Sequence, residues 1–223
     1  MTAPLIAISS PKSGAGKTTL AFNLVSALLH DGYNVGICSD FTPEFLQKRL
    51  ELQKSETALK LPQNISKENL FAGNFNNCNA VIVEVPSAQN SDFIPILAQV
   101  HTLITLLKSE NDLSWQPSDS YLNLVWNVKK QQAAHGIKYL NWAVAENELN
   151  NPAGILSQQL EQQSRRFGFR LAPALSKREA YTRIKDGYGA ADLINTGKLK
   201  MSMSDVYARR ELLILADFIW QQK

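Results

Sequence analysis

Leu5-Ile6-Ala7-Ile8-Ser9-Ser10-Pro11-Lys12-Ser13-Gly14-Ala15-Gly16-Lys17-Thr18-Thr19-Leu20 is the stretch on which the reading of this 223-residue chain turns. Leu5 to Ile8 is a short apolar run, the pattern of a strand buried on both faces. A glycine-containing loop follows at once. Beyond it, Leu20, Ala21, Leu24, Val25, Leu28 and Leu29 recur at helical spacing and predict a helix from Thr18 to His30. Asp31-Gly32 closes that helix, Gly32 suiting the left-handed position after a helix end. A Gly-Lys-Thr loop between a strand and a helix is the context that gives such a motif its meaning. The amides of Gly14, Ala15, Gly16, Lys17 and Thr18 can point into one concavity. The helix N-terminus adds about half a positive charge there. The expected guest is a nucleoside triphosphate, ATP, with Mg²⁺. Ser13, Gly14, Ala15 and Gly16 would shape the cradle, and Lys17 would reach the β- and γ-phosphates. Thr18 would ligate Mg²⁺, and Thr19 would donate to the α-phosphate.

Working outward, Asn34 to Cys38 reads as a second strand, and Pro43 opens a helix running to about Leu52. Residues 55–78 are polar and read as a surface connection with one short helix. Ala80 to Val83 is a further buried strand, Ile94 to Gln99 a helix, and His101 to Leu107 and Leu140 to Ala145 strands. Ile155 to Phe167 is amphipathic, Phe169 to Leu171 a short last strand, and Val206 to Trp220 a closing helix. The segment 108–138, with Trp115 and Trp126, yields no functional reading. Strands alternating with helices predict an α/β fold: a single P-loop domain over residues 1–223, its mainly parallel twisted sheet covered by helices on both faces. Ligands of such sheets bind beyond the carboxyl ends of the strands.

Composition narrows the classes. No stretch approaches 18 uninterrupted apolar residues, so no transmembrane helix is expected. Met1-Thr2-Ala3-Pro4 lacks the basic start of a secretory signal. The two cysteines, Cys38 and Cys78, are far apart and too few for a structural zinc or iron–sulfur cluster within one chain. Charge is uneven: residues 1–150 hold 11 Lys/Arg against 13 Asp/Glu, and residues 151–223 hold 12 against 7. A basic C-terminal third can meet DNA or an anionic membrane, or be an ordinary solvated surface.

Pro11 stands where the general phosphate-loop pattern has its first glycine, and a second lysine, Lys12, follows it. Lys12-Ser13-Gly14-Ala15-Gly16-Lys17-Thr18 resembles the deviant Walker A motif of the ParA/MinD family of ATPases. Within that family the likeness is greatest to MipZ, the division-plane positioning ATPases. It continues through Leu140 to Val144, Glu146-Asn147-Glu148-Leu149, Arg166 to Leu171, Tyr181, Ala191-Asp192-Leu193 and Ala208 to Leu212. The resemblance implies an ATP-dependent homodimer in which Lys12 reaches the partner's phosphates, with Asn147 near the base. It also implies weak ATPase activity, a cytoplasmic and nucleoid-associated bacterial protein, and non-specific DNA binding. A ParB-like and an FtsZ-like partner are the implied protein contacts. Arg165, Arg166, Lys177, Arg178, Arg183, Lys185 and Lys200 are then the candidates for DNA phosphates.

Two positions depart from the family. Where its members carry a water-orienting Asp after the second strand, this chain has Ser39, with Asp40 one place on. Asp40 faces the site only if the strand ends one residue out of register. After the third buried strand, Glu84-Val85-Pro86-Ser87 replaces Asp-x-x-Gly. Glu84 keeps a carboxylate for Mg²⁺ one methylene further out, and Ser87 takes the place of a glycine. Lys12, Lys17, Asp40 and Glu84 are thus the expected catalytic set. ATP binding is expected to survive and turnover to be slow or absent. Two alternatives remain: a MinD-like membrane-cycling ATPase using the closing helix, and a metabolic ligase on the same loop, such as a dethiobiotin-synthase-like enzyme. A membrane partner is the less expected, because such a helix more often docks on its own core.

Overall fold

The computed structural model describes residues 3–55, 59–86, 91–108, 120–136, 140–147, 155–192 and 202–221. Ser87, Glu148, Leu149, Leu193, Lys200 and Trp115 lie outside them. The strands are β1 (Leu5–Ser9), β2 (Val35–Cys38), β3 (Gln63–Asn64), β4 (Ala80–Glu84), β5 (Thr102–Leu107), β6 (Asn141–Glu146) and β7 (Arg170–Leu171). Three of them run side by side in the order β3-β2-β4 and four in the order β1-β5-β6-β7, and the registered pairs are parallel. The α/β expectation is met. The described chain divides into two compact units, taken in turn.

The first unit comprises Met1–Pro4, Thr18–Glu84 and Arg178–Gln221. It holds β2, β3 and β4, with α1 (Lys17–His30) from Thr18 onward, α2 (Thr42–Gln53), α3 (Lys67–Phe71) and α7 (Met203–Trp220). β4 is buried along its whole length, as an uninterrupted apolar run in a parallel sheet must be. In α1, Leu20, Ala21, Phe22, Leu24, Val25, Leu28 and Leu29 are all buried. Gly32 ends the helix with φ +91°, and the Tyr33 amide turns back to the Leu28 carbonyl. Residues 55–78 depart from expectation. Leu59, Ile65, Leu70 and Phe75 are buried, and Gln63–Asn64 pairs with β2. Single apolar residues among Asn, Lys and Ser show no period, yet each finds the core. α7 starts with a capping box between Ser202 and Asp205. It buries Leu212, Leu215, Ala216 and Ile219, and Trp220 stacks on Tyr33. One face of the helix is therefore docked on protein, while Met203, Tyr207 and Ile214 are exposed.

The second unit comprises Leu5–Lys17, Val85–Lys177 and the last two residues. It holds β1, β5, β6 and β7 with α4 (Ile94–Leu97), α5 (Ser120–Ala134) and α6 (Ile155–Phe167). β1 is registered with β5 and β5 with β6. A buried polar chain runs through this core. Tyr121 Oη lies 2.5 Å from both Ser9 Oγ and Thr105 Oγ1, and Trp142 Nε1 donates to Thr105 Oγ1 at 2.8 Å. α5 lies in the segment the sequence left unread. Among the described residues, no helix is long and apolar enough to cross a membrane.

Candidate nucleotide site

The loop between β1 and α1 places residues 10–17 at the carboxyl end of β1. Gly14 and Gly16 have φ of +77° and +92°, a region open to glycine and strained for other residues. Lys17 is buried, and its ammonium donates to Ser10 Oγ at 3.1 Å. Ser10 Oγ in turn donates to the Lys12 carbonyl at 2.5 Å. Lys12, Ser13 and Gly14 form the exposed crest of the loop. Asn147 is buried just beyond β6 and donates from Nδ2 to the Ala15 carbonyl at 2.7 Å. The loop is thus braced from below by Ser10 and from the side by Asn147. Ser10 escaped the sequence reading because nothing in its local pattern marks it.

Thr18, Ser39 and Glu84 belong to the first unit and form their own cluster. Thr18 Oγ1 donates to Glu84 Oε1 at 2.5 Å, and Ser39 Oγ donates to Glu84 Oε2 at 2.5 Å. Glu84 is only 8% exposed. Asp40 points elsewhere: its carboxylate, 58% exposed, pairs with Lys67 at 2.9 Å. Just beyond β2, Ser39 meets Glu84 while Asp40, in the turn that follows, meets Lys67 of α3. Beside Thr18 and Thr19 opens a cavity of about 310 Å³ lined by Phe22, Phe41, Phe45, Lys48 and Lys185, among others. The oxygen set of Thr18 and Glu84 is the kind a hard divalent cation takes. Both oxygens of Glu84 accept from neutral hydroxyls rather than from a cationic side chain.

The candidate DNA residues are divided between the units. Arg165 and Arg166 are exposed in the last turn of α6, and Lys177 is exposed beyond β7. Arg178 is engaged internally: Nη2 meets Glu211 Oε1 at 2.6 Å. Arg183 Nη1 lies 3.1 Å from Asp205 Oδ1, close enough for ion pairing but not aligned as a hydrogen bond. Lys185 is exposed at the rim of the cavity beside Thr19.

A strand, a left-handed glycine loop carrying Gly-Lys-Thr, and a helix define an α/β P-loop nucleotide-binding protein. The ATPase MipZ family model matches residues 41–219, and the chain belongs to that family. No curated protein sequence matches the chain. A chain of the MinC:MinD cell division protein complex of Aquifex aeolicus is similar at TM-score 0.60 and 14% identity, covering 99% of this chain and 97% of that one. An ATP complex of a Cyanothece McdA variant is similar at TM-score 0.62 and 13% identity, covering 100% and 98%. Cobyrinic acid a,c-diamide synthase of Mycobacterium smegmatis with ADP and magnesium gives TM-score 0.54 and 17% identity, covering 83% and 91%. At such identities the likeness shows the fold, which serves division proteins and a synthase alike.

Proposed function

We propose that the chain is a switch driven by ATP and Mg²⁺. Its ATP-bound form pairs two copies and positions DNA or the division machinery, and its turnover is slow. The observation that carries this reading is the Thr18–Glu84 hydrogen bond at 2.5 Å, at the N-terminus of a helix entered through a left-handed glycine loop. Loop amides of residues 14–18 and the Lys17 ammonium bind the phosphates. Thr18 and Glu84 hold Mg²⁺, which neutralises charge on the β- and γ-phosphates when bound. Lys12, on the exposed crest, serves the phosphates of the second copy. Asn147 fixes the loop and stands at the base end of the site.

Slow turnover follows from the carboxylates. Asp40 is held by Lys67, and Ser39 spends its proton on Glu84, so neither is placed to orient an attacking water. Loss of such positioning costs a phosphoryl-transfer enzyme several kcal/mol of barrier. The implied partners are non-specific DNA, through Arg165, Arg166 and Lys177, a ParB-like activator and an FtsZ-like target. A synthase would need a second substrate's polar pocket. The cavity beside Thr18 is lined by three phenylalanines and suits that role poorly.

Calorimetric titration with Mg²⁺–ATP, joined to sedimentation, tests the proposal. The wild type should bind and dimerise, Lys17→Ala should not bind, and Lys12→Ala should bind without dimerising. Absence of any adenine-nucleotide affinity in the wild type refutes it.

A further inference from the structure

Ser39 follows β2 directly, and its hydroxyl is committed on two sides. It donates to Glu84 Oε2 at 2.5 Å and accepts from the Phe41 amide at 3.2 Å. The Thr42 amide bonds the Ser39 carbonyl at 3.1 Å, so the residue is fixed against the first turn of α2. Phe41 is the N-cap of α2, and the residue is 55% exposed. Glutamate has one more rotatable bond than aspartate, and a free carboxylate on it would sample several positions. Here two hydroxyls, one on each oxygen, remove that freedom. Because Glu84 is buried, an oxygen stripped of its donor would carry the cost of an unsatisfied charged group.

We infer that Ser39 is a positioning residue. Its hydroxyl clamps the longer carboxylate of Glu84 against Thr18, and its hold on the Phe41 amide makes the first turn of α2 follow Glu84. The serine just after β2 and the glutamate at the end of β4 then form one device. Through it, the state of the cation site reaches an exposed aromatic on α2. This inference rests on the nucleotide and Mg²⁺ reading above.

The test uses the full chain and four variants: Ser39→Ala, Ser39→Thr, Glu84→Asp and the Ser39→Ala/Glu84→Asp double. The Mg²⁺ concentration for half-maximal ATP binding should rise about tenfold or more in Ser39→Ala, the scale of a lost hydrogen bond to a charged group. Ser39→Thr, which keeps the hydroxyl, should stay within about twofold of the wild type. In the Glu84→Asp background the shorter carboxylate no longer reaches position 39. There Ser39→Ala should add little, so the double-mutant cycle is strongly non-additive. Hydrogen exchange at amides 41–45 should slow on Mg²⁺–ATP binding in the wild type and in Ser39→Thr, but not in Ser39→Ala. Equal Mg²⁺ requirements in wild type and Ser39→Ala, or an additive cycle, overturn the inference while leaving nucleotide binding intact. A wild type that binds no ATP removes the nucleotide reading first, and this inference with it.

Discussion

The guanidinium of Arg49 meets both carboxylate oxygens of Asp192, Nη1 to Oδ2 at 2.6 Å and Nη2 to Oδ1 at 2.8 Å, with neither side chain exposed. Arg49 also donates to the carbonyls of Lys60 and Gly187, and His30 Nε2 lies 2.9 Å from Asp192 Oδ1. One buried ion pair therefore ties α2 to the end of α1 and to residues 187–192. Removing one partner strands the other charge without water, a loss of about 3–5 kcal/mol. Arg49→Met should lower the unfolding free energy by that amount. Arg49→Met/Asp192→Leu should recover much of the loss, because no lone charge remains. Chemical denaturation of the three proteins checks both statements.

The same pair sets an acid dependence. Burial alone would raise the Asp192 carboxyl, but hydrogen bonds from Arg49 and His30, helped by the Gly189 amide, outweigh it and hold the group well below the carboxylate range. A carboxyl lower in the folded than in the unfolded state stabilises fully above its unfolded value of about 4. That stabilisation drains away as pH falls from there toward the folded value. The unfolding free energy should decline steeply below about pH 4. The Asp192→Asn variant, less stable throughout, should show a shallower decline. Parallel slopes in the two proteins would contradict this.

Much of this architecture was legible in the sequence, for physical reasons that also mark where it stopped being so. Leu5 to Ile8 and Ala80 to Val83 are uninterrupted apolar runs, and a strand buried on both faces accounts for them. α1 carried its own punctuation, Gly-Lys-Thr before it and Gly32 after it. α5 went unread because Asn123, Asn127, Gln131 and Gln132 dilute an apolar stripe formed by Leu122, Val125 and Val128. Even Gln132 is buried, its Nε2 donating to the Val100 carbonyl at 3.2 Å. β3 is two exposed polar residues, paired with β2 through the backbone, with Gln63 Oε1 accepting from Cys78 Sγ. In the site, the loop residues followed from spacing. The part played by Ser39 did not, since it depends on Glu84, 45 positions away in sequence. Asp40 carries the charge such a site calls for, but it sits in the turn after β2 and pairs with Lys67.

Gly16 and Gly14 should respond differently to a methyl group. Both have positive φ, which costs an L-residue about 1–2 kcal/mol. A Cβ on Gly14 meets open space, whereas one on Gly16 collides with the Asn147 carboxamide. Gly16→Ala should therefore lower the melting temperature further than Gly14→Ala and weaken ATP binding more. Adding Asn147→Ala to Gly16→Ala relieves the collision and should restore part of the stability lost. Thermal melts and ATP titrations of the three variants decide it; equal effects of the two single alanines would show that Asn147 does not brace the loop.

The basic residues of the C-terminal third should divide into two groups under salt. Arg178 donates from Nε and Nη2 to Glu211 Oε1, and Tyr181 Oη donates to the other oxygen of the same carboxylate at 2.7 Å. Its charge is spent inside the first unit, so Arg178→Ala should cost about 1–2 kcal/mol of stability and leave DNA affinity nearly unchanged. Arg165 and Arg166, exposed at the end of α6, have charge available for a phosphate. Each phosphate contact adds close to one counterion to the salt dependence of binding. Arg165→Ala and Arg166→Ala should each flatten the slope of log affinity against log salt by about one unit for the ATP-bound protein on non-specific duplex DNA. If Arg178→Ala flattened that slope instead, the Arg178–Glu211 pair would have to open on DNA, and the basic face would lie on the first unit.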